Sequence, residues 1–206
     1  DCLIDLRNEG ARYSREYRKI NNIFVLPLTT DFKRQTPDKA ALKIPKDSTL
    51  SLSLASFYKV LGDPDLDYFR VIGNILKRFP DHYHILLTGP PPADIQKRVK
   101  ALSFPEDVKR RLIVYGPEPR PLPVYSSADF LIETFPIIGG MVRVEAMAVG
   151  LPVVAFRNAK FTLLSETDSL PADYQFTATT ENDIDSAKIL CGLGRVQAIN
   201  DDITDG

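Results

Sequence analysis

Two cysteines in 206 residues, Cys2 and Cys191, are too few and too isolated for a disulfide framework or a zinc site. They are expected to be reduced thiols. The two histidines, His82 and His84, have no other metal-ligating residues at suitable spacing beside them, and are expected to be surface histidines. With 26 basic and 27 acidic residues, the net charge of −1 gives no overall basic field for nucleic acid and no polybasic patch for a membrane. No apolar run approaches the roughly 20 residues of a membrane span, and no signal-peptide pattern opens the chain. No G-x-G-x-x-G follows a first strand, which argues against a dinucleotide dehydrogenase. There is no internal repeat. The absences together lead us to expect a globular cytoplasmic protein without nucleic acid, transmembrane segment or structural metal. The chain opens on Asp rather than Met, from which we expect part of something longer.

What is present is a 44% hydrophobic sequence, ample for a core, in which short apolar runs alternate with amphipathic stretches. This is the pattern of parallel β/α units, and it predicts an α/β fold. The expected strands are Ile23 to Leu28, Leu50 to Ala55, His84 to Thr88, Leu112 to Tyr115, Asp129 to Glu133 and Pro152 to Phe156. Leu66 to Phe79 is expected to be a helix, from apolar Leu66, Phe69, Ile72, Ile75 and Leu76 at helical spacing. Further helices are expected over Ala93 to Leu102, Pro121 to Ala128 and Glu181 to Leu190, with a short basic turn over Glu106 to Arg111.

An open parallel sheet binds ligands beyond the carboxyl ends of its strands, so the loops after the strands carry the candidate chemistry. Gly139 and Gly140 follow the strand DFLIE and open a helix. They let the backbone bend and leave no Cβ between the amides and a ligand. The first N–H groups of that helix, at Gly140, Met141 and Val142, have no intrahelical partners, and the positive end of its dipole faces the turn, an arrangement suited to phosphate. Glu145 lies about one and a half turns into the helix, within reach of a ribose diol beside a diphosphate. The alternative is a packed, glycine-capped helix with Glu145 as a solvated acid. The neighbours Val144, Met147, Ala148 and Leu151 to Val154 are apolar, which implies a core helix whose acid needs a partner. Lys59, in Ser56-Phe57-Tyr58-Lys59, is placed to neutralise a diphosphate; taken alone, the loop favours a solvated surface lysine. Gly89, before Pro90-Pro91-Pro92, opens a rigid turn that would wall a pocket. In Gly116-Pro117-Glu118-Pro119-Arg120, stiff backbone groups offer an edge against which a base is read.

Two stretches carry a family resemblance. SFYKVLGDPDLDYFRVIGNILKRFP resembles the FxxLYKIxP segment and the following ANILKRVP-like helix of O-linked N-acetylglucosamine transferases. ADFLIETFPIIGGMVRVEAMAVGLPVV resembles that family and also the larger retaining group whose signature ends in GLPVV after an EAMA helix. FVLPLTTDFKRQTPDKAALKIPKDSTLSL is similar to their interdomain linker. The chain thus resembles the C-terminal, donor-binding domain of a GT-B glycosyltransferase over roughly residues 20 to 160. The resemblance implies a Rossmann-like doubly wound parallel sheet, with residues 1–20 a remnant or linker of an acceptor domain and 21–206 the nucleotide-sugar domain. It matches Lys59 to the lysine on the donor diphosphate, Glu145 to the acid on the ribose hydroxyls, and Gly140, Met141 and Val142 to the helix-start amides facing the phosphates. Three positions depart from the pattern. Gly140-Met141-Val142 stands where O-GlcNAc transferases have His-Thr-Thr. Ile137 stands where the retaining group has an acid eight residues before its second glutamate, and Leu54 stands in place of an arginine.

The implied activity is hexosyl transfer from a nucleoside diphosphate sugar, with a UDP-sugar favoured, to an acceptor glycan or protein. No metal or other cofactor is expected. No general base is evident, and Glu133 is expected to be structural at its strand end, so the catalytic residues are unassigned and the isolated domain is expected to be inactive. Two other readings stay open: a non-catalytic nucleotide-binding module, and a nucleotide-sugar epimerase or phosphorylase.

Overall fold

The segment TLSLSL places leucines on one side of a strand and serines on the other, and both sides turn out to be buried. It is β3 (Thr49–Leu54) of a computed structural model that describes residues 3–5, 23–25, 30–61, 67–89, 93–116, 121–135, 137, 139–157 and 175–177. Leu50, Leu52, Ser51 and Ser53 are each fully buried. The strands β4 (His82–Leu87) and β5 (Leu112–Tyr115) extend the sheet on one side of β3. On the other side lie β6 (Phe130–Ile132), β7 (Val153–Arg157) and β8 (Gln175–Thr177), in the order β5-β4-β3-β6-β7-β8 with every pairing parallel. Two short strands, β1 (Leu3–Asp5) and β2 (Ile23–Val25), form a separate parallel pair.

Helices cover both faces, so the sheet is doubly wound as expected. On the serine face, α1 (Tyr68–Arg78) packs Tyr68, Phe69, Ile72 and Leu76 beside Leu86, Phe130 and Ile132. Ile95 of α2 (Ala93–Ala101) and Val108 of α3 (Glu106–Arg111) join the same cluster. On the leucine face, α4 (Leu122–Ser127) and α5 (Gly140–Ala148) contribute Val124, Tyr125 and Ala146 beside Leu50, Leu52, Ile85 and Leu131. Five of the six expected strands and the first helices are found within about two residues of their ends, the usual fraying of such boundaries, while of Ile23 to Leu28 only Ile23–Val25 is described, as a strand outside the main sheet. Glu106 to Arg111 is a helix rather than a turn. The expected helix over Glu181 to Leu190 lies outside the described residues, as do both cysteines.

Two devices hold α1 in place. Asp67 caps its start, accepting from Phe69 N at 2.9 Å and Arg70 N at 3.3 Å. Arg111, which is buried, donates from Nη1 to the carbonyls of Leu76, Phe79 and His82 at 2.7, 2.9 and 3.0 Å. One guanidinium thus satisfies backbone acceptors at the end of α1 and the start of β4, where a helix leaves carbonyls unpaired.

The histidines are not at the surface. The strand begins at His82, two residues before the expected start, so His82 and His84 both face the helix-covered side and are 2% and 0% exposed. Their polar partners come from across the sheet. Ser51 Oγ lies 2.7 Å from His82 Nε2 and 2.7 Å from His84 Nδ1, and Tyr68 Oη lies 2.7 Å from His84 Nε2. A neutral imidazole donates on one nitrogen and accepts on the other, so these three contacts form with both rings uncharged, while His82 Nδ1 is buried without a partner among the described residues.

Burial holds the His82 imidazole down to about 4, with the Arg111 charge adding to the effect. Burial likewise holds His84 well below its ordinary range, reinforced by His82. An unfolded histidine takes up its proton near about 6.5. From there down to about 4, the unfolded chain binds more protons than the folded one, and stability falls as the pH falls. The difference between the parent chain and His82→Gln isolates this effect from other titrating groups. The urea midpoint is expected to lose more between about pH 7 and pH 5 in the parent than in His82→Gln; an equal loss in both contradicts it.

Candidate functional site

The chain builds β3, β4 and β5 outward in one direction and then returns to lay β6 against the other side of β3. In a sheet of this order the connections leaving β3 and β6 start off in opposite directions, and ligands bind in the crevice expected between them at the carboxyl edge. This is the topological switch point, and two of the sequence candidates lie on its two sides.

On the β3 side, a single 3₁₀ turn, Phe57–Lys59, is closed by Lys59 N on Ser56 O at 3.0 Å and Val60 N on Phe57 O at 3.1 Å. Val60 is buried in the core and anchors the turn, Lys59 is half-buried, and Phe57 and Tyr58 are 40% and 54% exposed. On the β6 side the chain passes through Glu133, Thr134 and Phe135, all buried, to Gly139. A Cβ on Gly139 would lie 3.3 Å from the Val142 side chain and 3.9 Å from the Leu54 carbonyl oxygen. The glycine turn is thus seated against the carboxyl end of β3, and a side chain there would crowd it. Gly139, the residue before α5, has no side chain with which to cap it, and the first turn carries no acidic residue. The first amides of an α-helix, here those of Gly140, Met141 and Val142, have no partner within the helix, and the positive end of its dipole lies at this turn.

Glu145 is half-buried and partnered. Tyr125, from α4, donates its hydroxyl to Glu145 Oε2 at 2.9 Å, and the same hydroxyl lies 3.5 Å from Val142 O. Burial pushes the Tyr125 phenol well above its ordinary range, with the Glu145 charge and hydrogen bond adding to it. The expectation of a core helix holds only in part. Ala146 is buried, but Met141 and Met147 are each 39% exposed and Ala148 is exposed, so α5 rests on the sheet by one narrow face.

The strongest polar contact in this region joins two residues of the same stretch. Arg143 donates Nε to Glu133 Oε1 at 3.1 Å and Nη2 to Glu133 Oε2 at 2.6 Å, with side chains only 5% and 1% exposed. Burial pushes the Glu133 carboxyl up to about 7, against the downward pull of Arg143 and of Lys59. The sequence marked Glu133 as structural; its partner was missed, because only the loop geometry brings Arg143 back to the strand end.

Gly89 and Gly116 lie at the same edge of the sheet, after β4 and β5, where Thr88 N donates to Tyr115 O at 3.2 Å. A Cβ on Gly89 would meet nothing within 4 Å, so that position opens onto space rather than packing. Pro117, Arg120 and the run Pro90 to Pro92 lie outside the described residues. A cavity of about 430 Å³ lies instead at the amino ends of the strands, lined by Arg34, Lys39, Lys46, Ser126, Ser127 and Asp129 among others. Among the described residues no cluster of three or more His, Cys, Asp or Glu is placed to hold a metal ion, and no helix is long and apolar enough to cross a membrane.

No family model matches the sequence, and no curated protein matches it. Solved structures do match. A glycosyltransferase from Rickettsia africae superposes with a TM-score of 0.70 at 14% identity, over 93% of this chain and 53% of that one. This chain has the fold of a GT-B glycosyltransferase C-terminal domain. The C-terminal domain of a group 1 glycosyl transferase (LpcC) from Francisella tularensis matches with a TM-score of 0.54 at 17% identity, over 80% of this chain and 87% of that domain. HepE of Anabaena, solved in complex with UDP and glucose, matches with a TM-score of 0.57 at 18% identity, over 82% of this chain and 47% of its own. The chain spans about half the length of the Rickettsia enzyme, and in the GT-B fold it corresponds to the C-terminal half.

Tyr125→Phe removes the bond to Glu145 while keeping the ring packed among Val124, Leu131 and Ala146. Urea denaturation is expected to show a loss of about 1 kcal/mol. A variant as stable as the parent would mean that the Tyr125–Glu145 contact does not order α5.

Proposed function

We propose that this chain is the donor-binding domain of a glycosyltransferase, which takes a nucleoside diphosphate hexose, a UDP-sugar by preference, for transfer to a glycan or protein acceptor. What supports the reading is that Lys59 follows β3 and the amino end of α5 follows β6, the two strands that flank the switch point, with Glu145 in the same helix. A diphosphate there meets a cation on one side and free backbone donors on the other. The Glu145 carboxylate keeps acceptor capacity beyond its bond to Tyr125, and a ribose hydroxyl is a donor of the right kind. HepE, which shares this fold, holds UDP and glucose, and that supports the choice of nucleotide.

The chemistry follows from the leaving group. As the bond from the sugar to the diphosphate breaks, negative charge grows on the diphosphate oxygens, where Lys59 and the helix-start amides stabilise it. Each hydrogen bond to a charged group contributes about 1.5–3 kcal/mol, roughly tenfold or more in affinity. The acceptor and any general base are assigned to a further domain, because among the described residues the buried acid at this edge, Glu133, is sealed against Arg143.

Isothermal titration calorimetry of the 206-residue chain with UDP tests the reading. Binding is expected, weakened about tenfold by Lys59→Ala and similarly by Glu145→Ala. No binding at millimolar UDP, or binding untouched by either substitution, contradicts it.

A further inference from the structure

We propose that the Glu133–Arg143 ion pair is a positioning device, which fixes the first turn of α5 to the end of β6 so that its amides meet the donor diphosphate. The inference rests on the donor-binding reading above. Three observations carry it.

The pair bridges the sheet and the helix. Glu133 is held to the sheet by its own amide, which donates to Val154 O at 2.8 Å. Arg143 is the fourth residue of α5, and so belongs to the turn that presents the amides of Gly140, Met141 and Val142. Between them runs the segment that ends at Gly139, an N-cap residue with no side chain to hold the helix it leads into. Without a cap, the two parallel N–H···O bonds of the fork, at 3.1 and 2.6 Å, set the direction as well as the distance of that turn.

The pair is sealed. With side chains 5% and 1% exposed, neither group reaches a ligand in the crevice, so neither is a binding residue. A buried ion pair is a poor way to gain stability, because desolvating both charges offsets most of their attraction and well-packed neutral replacements are often as stable. It does fix geometry. Displacements of about 1 Å in a phosphate site are costly, because hydrogen bonds to charged oxygens are short and directional.

The same carboxylate also serves the other wall. The positive charge of Lys59 acts on Glu133, so one buried acid lies within the electrostatic reach of both the helix that binds from the β6 side and the cation that binds from the β3 side. Glu133 thereby relates the two halves of the crevice, which belong to loops separated by more than seventy residues of sequence.

The test uses the neutral double variant Glu133→Gln/Arg143→Met, which avoids stranding one buried charge, together with Arg143→Lys, which keeps the charge and loses the fork. UDP affinity is measured by calorimetry, and uridine affinity by ligand-observed NMR. The double variant is expected to bind UDP about tenfold more weakly than the parent chain and uridine equally well, since only phosphate contacts depend on the first turn of α5. Arg143→Lys is expected to weaken UDP in the same phosphate-specific way, and decides the matter if the double variant fails to fold. UDP affinity equal to the parent, or a parallel loss of UDP and uridine, overturns the inference while leaving the donor-binding reading intact. A parent chain that binds no UDP overturns both.

Discussion

The pairing of β3 with β4 on one side and β6 on the other is the constraint on which the rest depends. It forces the chain to lay down β4 and β5, return across the sheet and begin again beside its own first strand. The return is secured at the amino ends, where the Asp129 carboxylate accepts Leu50 N at 2.7 Å and Lys39 Nζ at 2.8 Å, tying the segment before β3 to the entry of β6. With that end closed, the other end must diverge. The crevice between the 3₁₀ turn after β3 and the glycine turn after β6 is a consequence of strand order before it is a property of any side chain.

The electrostatics of the crevice are less simple than a row of cations. Two acids, Glu133 and Glu145, stand at a place suited to an anion, and each is accounted for differently. Glu133 is neutralised by a bidentate arginine in the interior and held away from ligands. Glu145 is half-buried and oriented by Tyr125, which leaves carboxylate oxygen available to a neutral hydroxyl. The groups proposed to meet a diphosphate are Lys59, whose charge also acts on Glu133, and the amino end of the helix. The dipole effect fades within one turn, so the position of that first turn relative to Lys59 matters more than the number of donors.

Much of this was legible in the sequence, and the parts that were not share a physical cause. The apolar runs located the strands because a parallel sheet covered on both faces needs them. The glycine turn and Lys59 stand out in the sequence because phosphate sites use local backbone geometry and a point charge, and the fold sets them after the two strands that flank the switch point. His82 and His84 were misread as surface residues, since their partners Ser51 and Tyr68 are supplied by strand register and by α1 packing. Arg111 looked like part of a basic turn; only the fold brings it under the carbonyls of Leu76, Phe79 and His82. Arg143 and Tyr125 were unassigned for the same reason: the Glu133 and Glu145 pairings depend on how α5 is seated, which no spacing rule encodes.

A crystal structure of the chain soaked with UDP tests the central claim most directly. The account predicts diphosphate oxygens about 2.7–3.2 Å from the first amides of α5 and from Lys59 Nζ, with the ribose hydroxyls on Glu145. UDP seated in the cavity at the amino ends of the strands, or in the crevice with its diphosphate turned away from α5, would contradict it.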